Sequence, residues 1–284
     1  MNLYHVLLFL LPISVLANTF TVELENDVLY KSDKYYTHGT RFTYEVDGVY
    51  WSLGQNIYTP SDIKVDTIAT NDRPYSGTIY LSLSGIRQLG NLESKYIKRN
   101  IYNQLEVFVG ISGKYSGAEQ TQKLIHDLIH STEPKGWDNQ TKTRPFLLLS
   151  DRIYGDIIST KYLNSSIYFG MDLGTPFINA GCGAKLMIGY NVPRHLNAPI
   201  ISKLKNFSVY SFFDIYEKRV FVNKLLYSDN TDITPTHNVQ DIRVGIGICY
   251  NMFEIRYTQC TRGKEFIEQE NNVHFGSILL KFPI

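Results

Sequence analysis

Segments in which apolar and polar residues alternate recur along almost the whole chain. In the clearest of them, residues 241–248, Ile or Val occupies every second position, and residues 253–258 continue the pattern with Phe, Ile and Tyr. Successive side chains of a β-strand point to opposite faces, so each segment would form a strand with one apolar and one polar face. The alternation therefore predicts an all-β, antiparallel protein.

Twelve segments of this kind fill a single domain. The predicted strands lie near residues 20–27, 36–46, 49–57, 75–84, 104–113, 144–154, 165–173, 180–190, 206–216, 240–250, 252–261 and 272–282. In a soluble sandwich the apolar faces would meet in a core, whereas in a transmembrane barrel they would face lipid and the charges would line the lumen. Alternation does not distinguish the two, although an even strand number is typical of bacterial outer-membrane barrels.

The first residues predict a secretory signal peptide over residues 1–17. An apolar run from Val6 to Leu16 ends in Val-Leu-Ala, a typical cleavage pattern, and this run of about a dozen residues is shorter than the ~20 that a membrane-spanning helix needs. No later stretch approaches ~18 apolar residues, so only a closed barrel, whose strands need ~10 residues, could cross a bilayer. We expect an exported β-barrel domain over residues 18–284.

Charge and cysteine content exclude several classes of protein. Lys and Arg number 28 against 27 Asp and Glu, which gives no argument for nucleic-acid binding. Cys182, Cys249 and Cys260 are an odd number without metal-ligand spacing, so no disulfide framework is expected. With a hairpin turn at 250–251, Cys260 would lie opposite Asp241, roughly 26 Å from Cys249. Motifs of serine hydrolases, zinc proteases and nucleotide-binding enzymes are absent from the sequence.

A short helix is predicted within the long connection at residues 114–143. Its apolar stripe contains four residues, and a second face carries Gln122, His126 and His130 at i, i+4 and i+8. The apolar residues are Leu124, Ile125, Leu128 and Ile129. A histidine near a carboxylate is a common general base for water, because imidazole accepts a proton at neutral pH. The alternative is two histidines on a solvated helix face.

The predicted topology places several polar residues at one end of the sheet. Connections at 28–35, 58–74, 114–143, 174–179, 217–239 and 262–271 would all lie on one side, the external side if both termini are periplasmic. Asn26, Asp27, Thr37 and His126 would then converge there. Carboxylate and amide oxygens suit a hard cation that could stabilise an oxyanion, but Asn-Asp at a strand end is also a common turn former.

Four blocks in the same order resemble the lipid A 3'-O-deacylase family of outer-membrane proteins. They are Asn-Asp and Tyr-Thr-x-Gly within residues 25–41, Ser-Leu-Gly-Gln-x-Ile-Tyr-Thr-Pro at 52–60, Asp-Arg-Pro-Tyr-Ser-Gly at 72–77 and Gly-Trp-Asp-Asn-Gln at 136–140. The resemblance is strong from about residue 23 to residue 140. The last block has no nucleophile and is expected to fix the return of the helix loop, with its tryptophan at the membrane interface.

The resemblance implies a twelve-stranded barrel, with a site between the wall and a helix in an external loop. The implied reaction is hydrolysis of the 3'-acyloxyacyl chain of lipid A in lipopolysaccharide. His126 of the Gln-x-x-x-His motif would activate water with Gln122 beside it. Asn26 and Asp27 would hold Ca²⁺, which polarises the ester carbonyl, and Thr37 would donate a supporting hydrogen bond.

The substrate-binding cations are less clearly defined. Some family members carry a functional lysine directly before the Asp-Arg of the second external loop, where this chain has Thr70-Asn71. Lys64 or Arg73 would have to replace it, or Arg73 is structural and pairs with Asp72 or another nearby carboxylate. Loop cations that could bind lipopolysaccharide phosphates are Lys31, Lys34, Lys64, Arg73, Lys123 and Lys135.

Two other functions remain open at this point. The chain could be a non-catalytic outer-membrane barrel, either structural or a small pore, or an esterase that acts on phospholipid. In each case we expect a monomer in the outer membrane, with lipid as its partner and without a protein partner.

Overall fold

The computed structural model describes residues 18–27, 34–67, 70–93, 98–193, 207–229 and 231–284. Within them lie twelve strands and one α-helix. The strands are β1 Thr19–Asn26, β2 Tyr35–Val46, β3 Val49–Thr59, β4 Ser76–Glu93, β5 Lys98–Ser112, β6 Arg144–Ser159, β7 Leu163–Gly174, β8 Phe177–Tyr190, β9 Ser208–Asn223, β10 Asn238–Tyr250, β11 Phe253–Arg262 and β12 Val273–Pro283. The helix, α1, spans Ala118–Leu128. The predicted signal peptide and Lys31 lie outside the described residues.

The strands form one closed antiparallel barrel. Each strand pairs with its neighbours in the chain, and β1 also pairs with β12, from Thr19 opposite Pro283 to Asn26 opposite Gly276. All twelve predicted strands are present, and the barrel is confirmed against the sandwich. No helix among the described residues is long and apolar enough to span a membrane.

The alternation seen in the sequence separates an apolar outer face from a polar lumen. Leu81, Val109 and Ile255 point outwards and are 64%, 60% and 62% exposed. In the lumen, Arg41 on β2 donates to Glu106 on β5, with Nη2 to Oε1 at 2.5 Å. Large exposed apolar side chains on an outer wall are typical of a barrel that faces lipid.

Several strands extend beyond their predicted ends, and β4, β5 and β9 extend furthest. β4 and β5 continue to Glu93 and from Lys98, so the connection predicted at 85–103 is mostly strand. β9 likewise continues to Asn223, through a segment predicted as loop. Backbone pairing does not require apolar side chains, so a hairpin can run past the apolar band, and the sequence pattern then ends before the strand does.

The β10–β11 turn lies one residue later than predicted. Asn251 and Met252 form the two-residue turn, both with positive φ, and Tyr250 pairs with Phe253. Cys260 therefore lies opposite Arg243 instead of Asp241. All three cysteines are free thiols, as their spacing predicted.

Loops close the lumen at the end of the barrel that carries the long connections. Buried aromatic and aliphatic residues from β2, β3, β12 and the loops after β9 and β11 form one cluster there. Its members are Tyr35, Tyr36, Tyr58, Leu225, Leu226, Ile233, Cys260, Phe266, Val273 and Phe275. We call this cluster the cap, and the candidate site lies outside it, on the outer wall.

Candidate active site

α1 lies against the outer surface of β3 and β4. Ala118, at its first turn, packs with Ile57 of β3, and Gln55 donates from Nε2 to the backbone carbonyl of Ser116 at 2.8 Å. Gly77 of β4 faces the same point, where an added Cβ would overlap with the side chains of Ala118 and Ser116. The absence of a side chain at Gly77 therefore allows the helix to reach the wall.

The helix buries Gln122 and His126 against the wall and exposes a face that carries two leucines together with Gln120 and Asp127. Gln122 and His126, which follow Ala118 at i+4 and i+8, are 1% and 5% exposed. Leu124 and Leu128, on the opposite face, are 59% and 72% exposed. A helix that packs on a globular core normally has the reverse arrangement. The solvated-histidine alternative is therefore wrong for His126.

Gln122 is held by Trp137, in the return of the helix loop. The indole Nε1 donates to Gln122 Oε1 at 3.0 Å, and the Trp137 ring packs against Tyr75 with centroids 4.6 Å apart. The amide Nε2 of Gln122 is buried without a hydrogen-bond partner. Trp137 is 3% exposed, so its expected position at the membrane interface is wrong.

The backbone beyond α1 determines which nitrogen of His126 carries a proton. Nδ1 lies 2.5 Å from the backbone carbonyl oxygen of Thr132, to which it can only donate. In the neutral ring the basic lone pair is therefore on Nε2. α1 ends at Leu128, and His130 lies beyond it, exposed and with φ of 53°, so it does not share the helix face as predicted.

A row of paired residues crosses the outer wall from β1 to the helix. Asn26 pairs with His38, His38 with Ile57, and Ile57 with Gly77. Adjacent strands lie ~4.8 Å apart, so Asn26 is about 10 Å along the wall from β3 and about 14 Å from β4, the two strands that contact α1. Asn26 follows the outward-facing Leu24 by two positions, which places its side chain on the same outer face.

His38 is a site residue that the sequence analysis did not identify. Asn26 donates from Nδ2 to His38 Nδ1 at 3.5 Å, so the other ring nitrogen, Nε2, donates to Thr40 Oγ1 at 2.6 Å. These contacts turn the amide nitrogen of Asn26 towards His38. Positions two apart in a strand share a face, so Asn26 lies on the face of Leu24 and His38 on the face of Thr40. The pairing of β1 with β2 puts these two pairs on one face of the sheet.

Asp27 and Thr37 lie where β1 and β2 meet the loop between them. Asp27 is buried, its Oδ2 accepts from the backbone N of Lys34 at 2.9 Å, and its own N–H donates to the carbonyl of Thr37 at 3.4 Å. The register shifts between Tyr36 and His38, and Thr37 Oγ1 lies 2.7 Å from Thr59 Oγ1. The structure therefore brings Asn26, Asp27 and Thr37 together at one end of the wall.

Asn26 and Asp27 provide the kinds of atom that a hard cation prefers. A carboxylate and an amide oxygen are both suitable ligands for Ca²⁺, and water or substrate oxygens would complete a shell of six to eight. Among the described residues, no three His, Cys, Asp or Glu side chains are grouped so as to hold a metal. The two residues fit Ca²⁺ by donor chemistry and form only part of a coordination shell.

The predicted cationic residues lie in different environments. Arg73 is 1% exposed, its Nη1 is 3.1 Å from Glu265 Oε2, and its guanidinium lies over the Tyr58 ring at 4.5 Å. This environment favours the structural interpretation of Arg73 over substrate binding. Lys64 is exposed in the loop between β3 and β4.

Three further loop lysines lie on the surface within the described residues, and two of them are paired. Lys34 pairs with Glu270 at 3.3 Å, and Lys135 is exposed. On α1, Lys123 donates to Glu119 at 2.8 Å, and this hydrogen bond raises the pKa of Lys123.

The chain was compared with known proteins. A family model described as outer membrane protein LpxR matches residues 3–284. LpxR from Salmonella typhimurium aligns with a TM-score of 0.77 and 18% identity over 94% of this chain and 100% of that chain. The β domain of the Bordetella autotransporter BrkA aligns at 0.41 with 8% identity, over 94% and 98% of the two chains. No match was found among curated proteins.

Proposed function

The chain belongs to the LpxR family of outer membrane proteins, and from this membership we propose that it is an outer-membrane lipid A deacylase. In this proposal it hydrolyses the ester of the 3'-acyloxyacyl chain of lipid A in lipopolysaccharide. The long-loop end of the barrel faces the exterior, and the protein acts as a monomer. Its site lies between the outer wall of the barrel and α1.

The observation that most supports the proposal is the burial of Gln122 and His126 on the helix face next to the wall. Burial of polar side chains costs free energy unless they are hydrogen-bonded, and a buried Gln–His face would contribute little to a purely structural helix. Here His126 has its Nδ1 bound to a carbonyl, as a general base requires. A membrane lipid reaches this site laterally, because the site is outside the barrel.

The proposed reaction begins with water. His126 accepts a proton from water at Nε2 while the water oxygen attacks the ester carbonyl carbon. The bond from that carbon to the 3'-oxygen of the sugar then breaks, and His126 returns the proton to the sugar oxygen. The products are the free 3'-hydroxyl and the released carboxylic acid. The amide Nε2 of Gln122 donates a hydrogen bond to the attacking water and orients it.

The residues of β1 and β2 serve the carbonyl side of the ester. Asn26 and Asp27 would hold Ca²⁺, which when bound supplies Lewis-acid stabilisation of negative charge on the ester oxygen. Asp27 keeps its position through the backbone N–H of Lys34, and Thr37 supports the strand end through Thr59. Lys64, as an exposed cation of the adjacent loop, would bind a phosphate of lipid A.

Mass spectrometry of lipid A tests the function directly. Cells of a Gram-negative host would express the wild type, His126→Ala or His130→Ala, each with and without Ca²⁺ chelation. We expect loss of the mass of one acyloxyacyl chain with the wild type and with His130→Ala, and no loss with His126→Ala or after chelation. His130 is the matched control because it lies four residues further on, is exposed and is outside the buried face.

Other outcomes would identify the alternatives. Unchanged lipid A together with released fatty acid and lysophospholipid would indicate a phospholipid esterase. Unchanged lipid A and phospholipid in every sample, with folded barrel in the outer membrane, would indicate a non-catalytic barrel. Loss of the acyl mass with both histidine variants would exclude His126 as the base.

A further inference from the structure

The face of α1 opposite Gln122 and His126 exposes two leucines next to the polar Gln120 and Asp127. Leu124 and Leu128 on this face are 59% and 72% exposed, and Ile129, directly after the helix, is 53% exposed. Tyr115, just before the helix, is 75% exposed. Apolar residues clustered on one side of an otherwise polar loop indicate contact with an apolar partner.

This surface lies next to the apolar band of the barrel wall. α1 contacts the wall where Ile57 pairs with Gly77, and four positions further along the same strands Leu53 pairs with Leu81. Leu53 and Leu81 are 45% and 64% exposed and face lipid. Four residues of strand span roughly 13 Å, so the point where α1 contacts the wall lies about 13 Å from Leu53 and Leu81.

We propose that the apolar face of α1 lies in the outer leaflet and contacts its acyl chains. Leu124 and Leu128, with Tyr115 and Ile129 at the two ends of the helix, then extend the lipid-facing band of the barrel to the helix loop. A lipid surface fits better than a protein partner, because the patch lies on the outer wall about 13 Å from a band that already faces lipid. Tyr115 has the amphipathic character of residues found at membrane interfaces.

The helix has the character of an interfacial helix. Such helices place an apolar face at the boundary between headgroups and acyl chains and keep a polar face away from it. α1 differs in that its polar face is covered by Trp137 and the backbone at Thr132. If the proposed function holds, this arrangement keeps His126 at the depth of the lipid ester, so that the substrate need not leave the bilayer.

Spin labelling tests the position of the helix without using activity. A nitroxide is attached at Leu128→Cys in the otherwise full-length protein, with Cys182→Ser to remove the exposed native thiol, in lipid vesicles. We expect collisions with oxygen to be frequent and collisions with a water-soluble nickel chelate to be rare. The control label at Glu133→Cys, on an exposed polar position of the same loop, is expected to show the reverse.

Equal nickel accessibility at the two labels would overturn the proposal. Strong dipolar broadening at the Leu128 label in both detergent and vesicles would also overturn it, since the face would then contact a second copy. Because neither readout involves hydrolysis, an inactive protein with a lipid-exposed label would reject the deacylase and leave the membrane contact established.

A second experiment tests whether the apolar residues of α1 are needed for the proposed reaction. The Leu124→Asn, Leu128→Asn double variant is expected to lose activity several-fold on substrate in vesicles and to keep it on substrate in detergent micelles. Equal loss in both would show that the substitutions damage the fold of the loop. Equal retention in both would show that the surface is not needed for access to the bilayer.

Discussion

At the scale of single residues, His38 is the least expected feature of the site. It lies between Asn26 and Thr40 on the outer wall and accepts from the one while donating to the other. Because Asn26 is a proposed Ca²⁺ ligand, His38 would act as a positioning residue that directs the amide oxygen of Asn26 away from itself. Such supporting contacts orient metal ligands without touching the metal.

We therefore expect His38→Ala to weaken both Ca²⁺ dependence and turnover. Loss of a contact that orients a metal-binding side chain typically costs about 10-fold or more in metal affinity or activity. The measurement is the rate of lipid A deacylation as a function of Ca²⁺ concentration in the purified protein. A rightward shift of the Ca²⁺ curve is the specific prediction, since general damage would lower the plateau alone.

His237→Ala provides the matched control for this variant. His237 is a histidine outside the candidate site: its Nδ1 lies 3.1 Å from the Val220 carbonyl oxygen, and it directly precedes β10, away from β1 and β2. Its variant is expected to keep the wild-type Ca²⁺ curve. If both variants shift the curve equally, the positioning role of His38 is wrong.

The sequence predicted some residues of the candidate site and missed others for physical reasons. Asn26, Asp27, Thr37, Gln122 and His126 follow from motifs, because their residue types and order carry the resemblance. His38 has no such signal, since only the pairing of β1 with β2 places it beside Asn26.

The environments of side chains far apart in the chain were the least predictable. The pairing of Arg73 with Glu265 depends on contact between loops 192 positions apart. The burial of Trp137 likewise depends on Tyr75 and on the helix. No local pattern encodes either contact.

At the scale of elements, the position of α1 depends on Gly77. A Cβ at this position would overlap with the side chains of Ala118 and Ser116, and Ala118 is rigidly placed at the first turn of the helix. Gly77→Ala should therefore lift the first turn from the wall. Overpacking of this kind typically costs ~1–3 kcal/mol.

We expect Gly77→Ala to reduce deacylation and to make the helix loop a faster substrate for protease while the barrel stays folded. Limited proteolysis followed by mass spectrometry would locate cleavage within residues 113–143. Gly85→Ala is the control in the same strand, because an added Cβ there has no neighbour within 4 Å. Equal cleavage of the two variants would show that Gly77 does not position the helix.

Strands were easier to predict than the orientation of the helix. Alternation identified all twelve strands, since each must present a lipid-facing and a lumen-facing side. The apolar stripe of α1 was equally visible in the sequence, but whether the stripe is buried depends on what surrounds the helix. Next to a lipid-facing wall an apolar helix face can remain exposed, whereas in a globular protein it would turn to the core.

At the scale of the whole molecule, paired polar residues line the lumen, and the cap closes one end of the barrel. Asp241 on β10 binds Lys218 on β9 and Arg262 on β11, each at 2.9 Å, and Tyr210 on β9 donates to Glu254 on β11 at 2.6 Å. With the Arg41–Glu106 pair between β2 and β5, these contacts line the lumen with paired polar groups. Such a lumen resembles the filled interior of small barrels more than an aqueous channel.

We expect no discrete current steps when the folded protein is reconstituted in a planar lipid bilayer. Ions would have to displace paired charges in the lumen and also pass the buried aromatic residues of the cap. Insertion would be verified by the heat-dependent mobility of the folded barrel on gels. Regular current steps from folded, inserted protein would support the small pore over the filled barrel.

Closure of the barrel is the part of the fold that the sequence left undecided. Alternation gives each strand two faces but does not say whether the apolar face meets another sheet or lipid. The pairing of β1 with β12 decides it, and that pairing joins the two ends of the chain. Local periodicity carries no information about contacts over such a separation.

The three free thiols have a consequence for the order of events during assembly. An outer membrane protein crosses the periplasm, an oxidising compartment, before it folds. In the finished barrel Cys260 lies opposite Arg243, six positions or about 20 Å along β10 from Cys249, far beyond the ~7 Å that a disulfide can span. A bond formed early between Cys249 and Cys260 would therefore prevent β10 and β11 from pairing, so strand pairing has to occur before the thiols are oxidised.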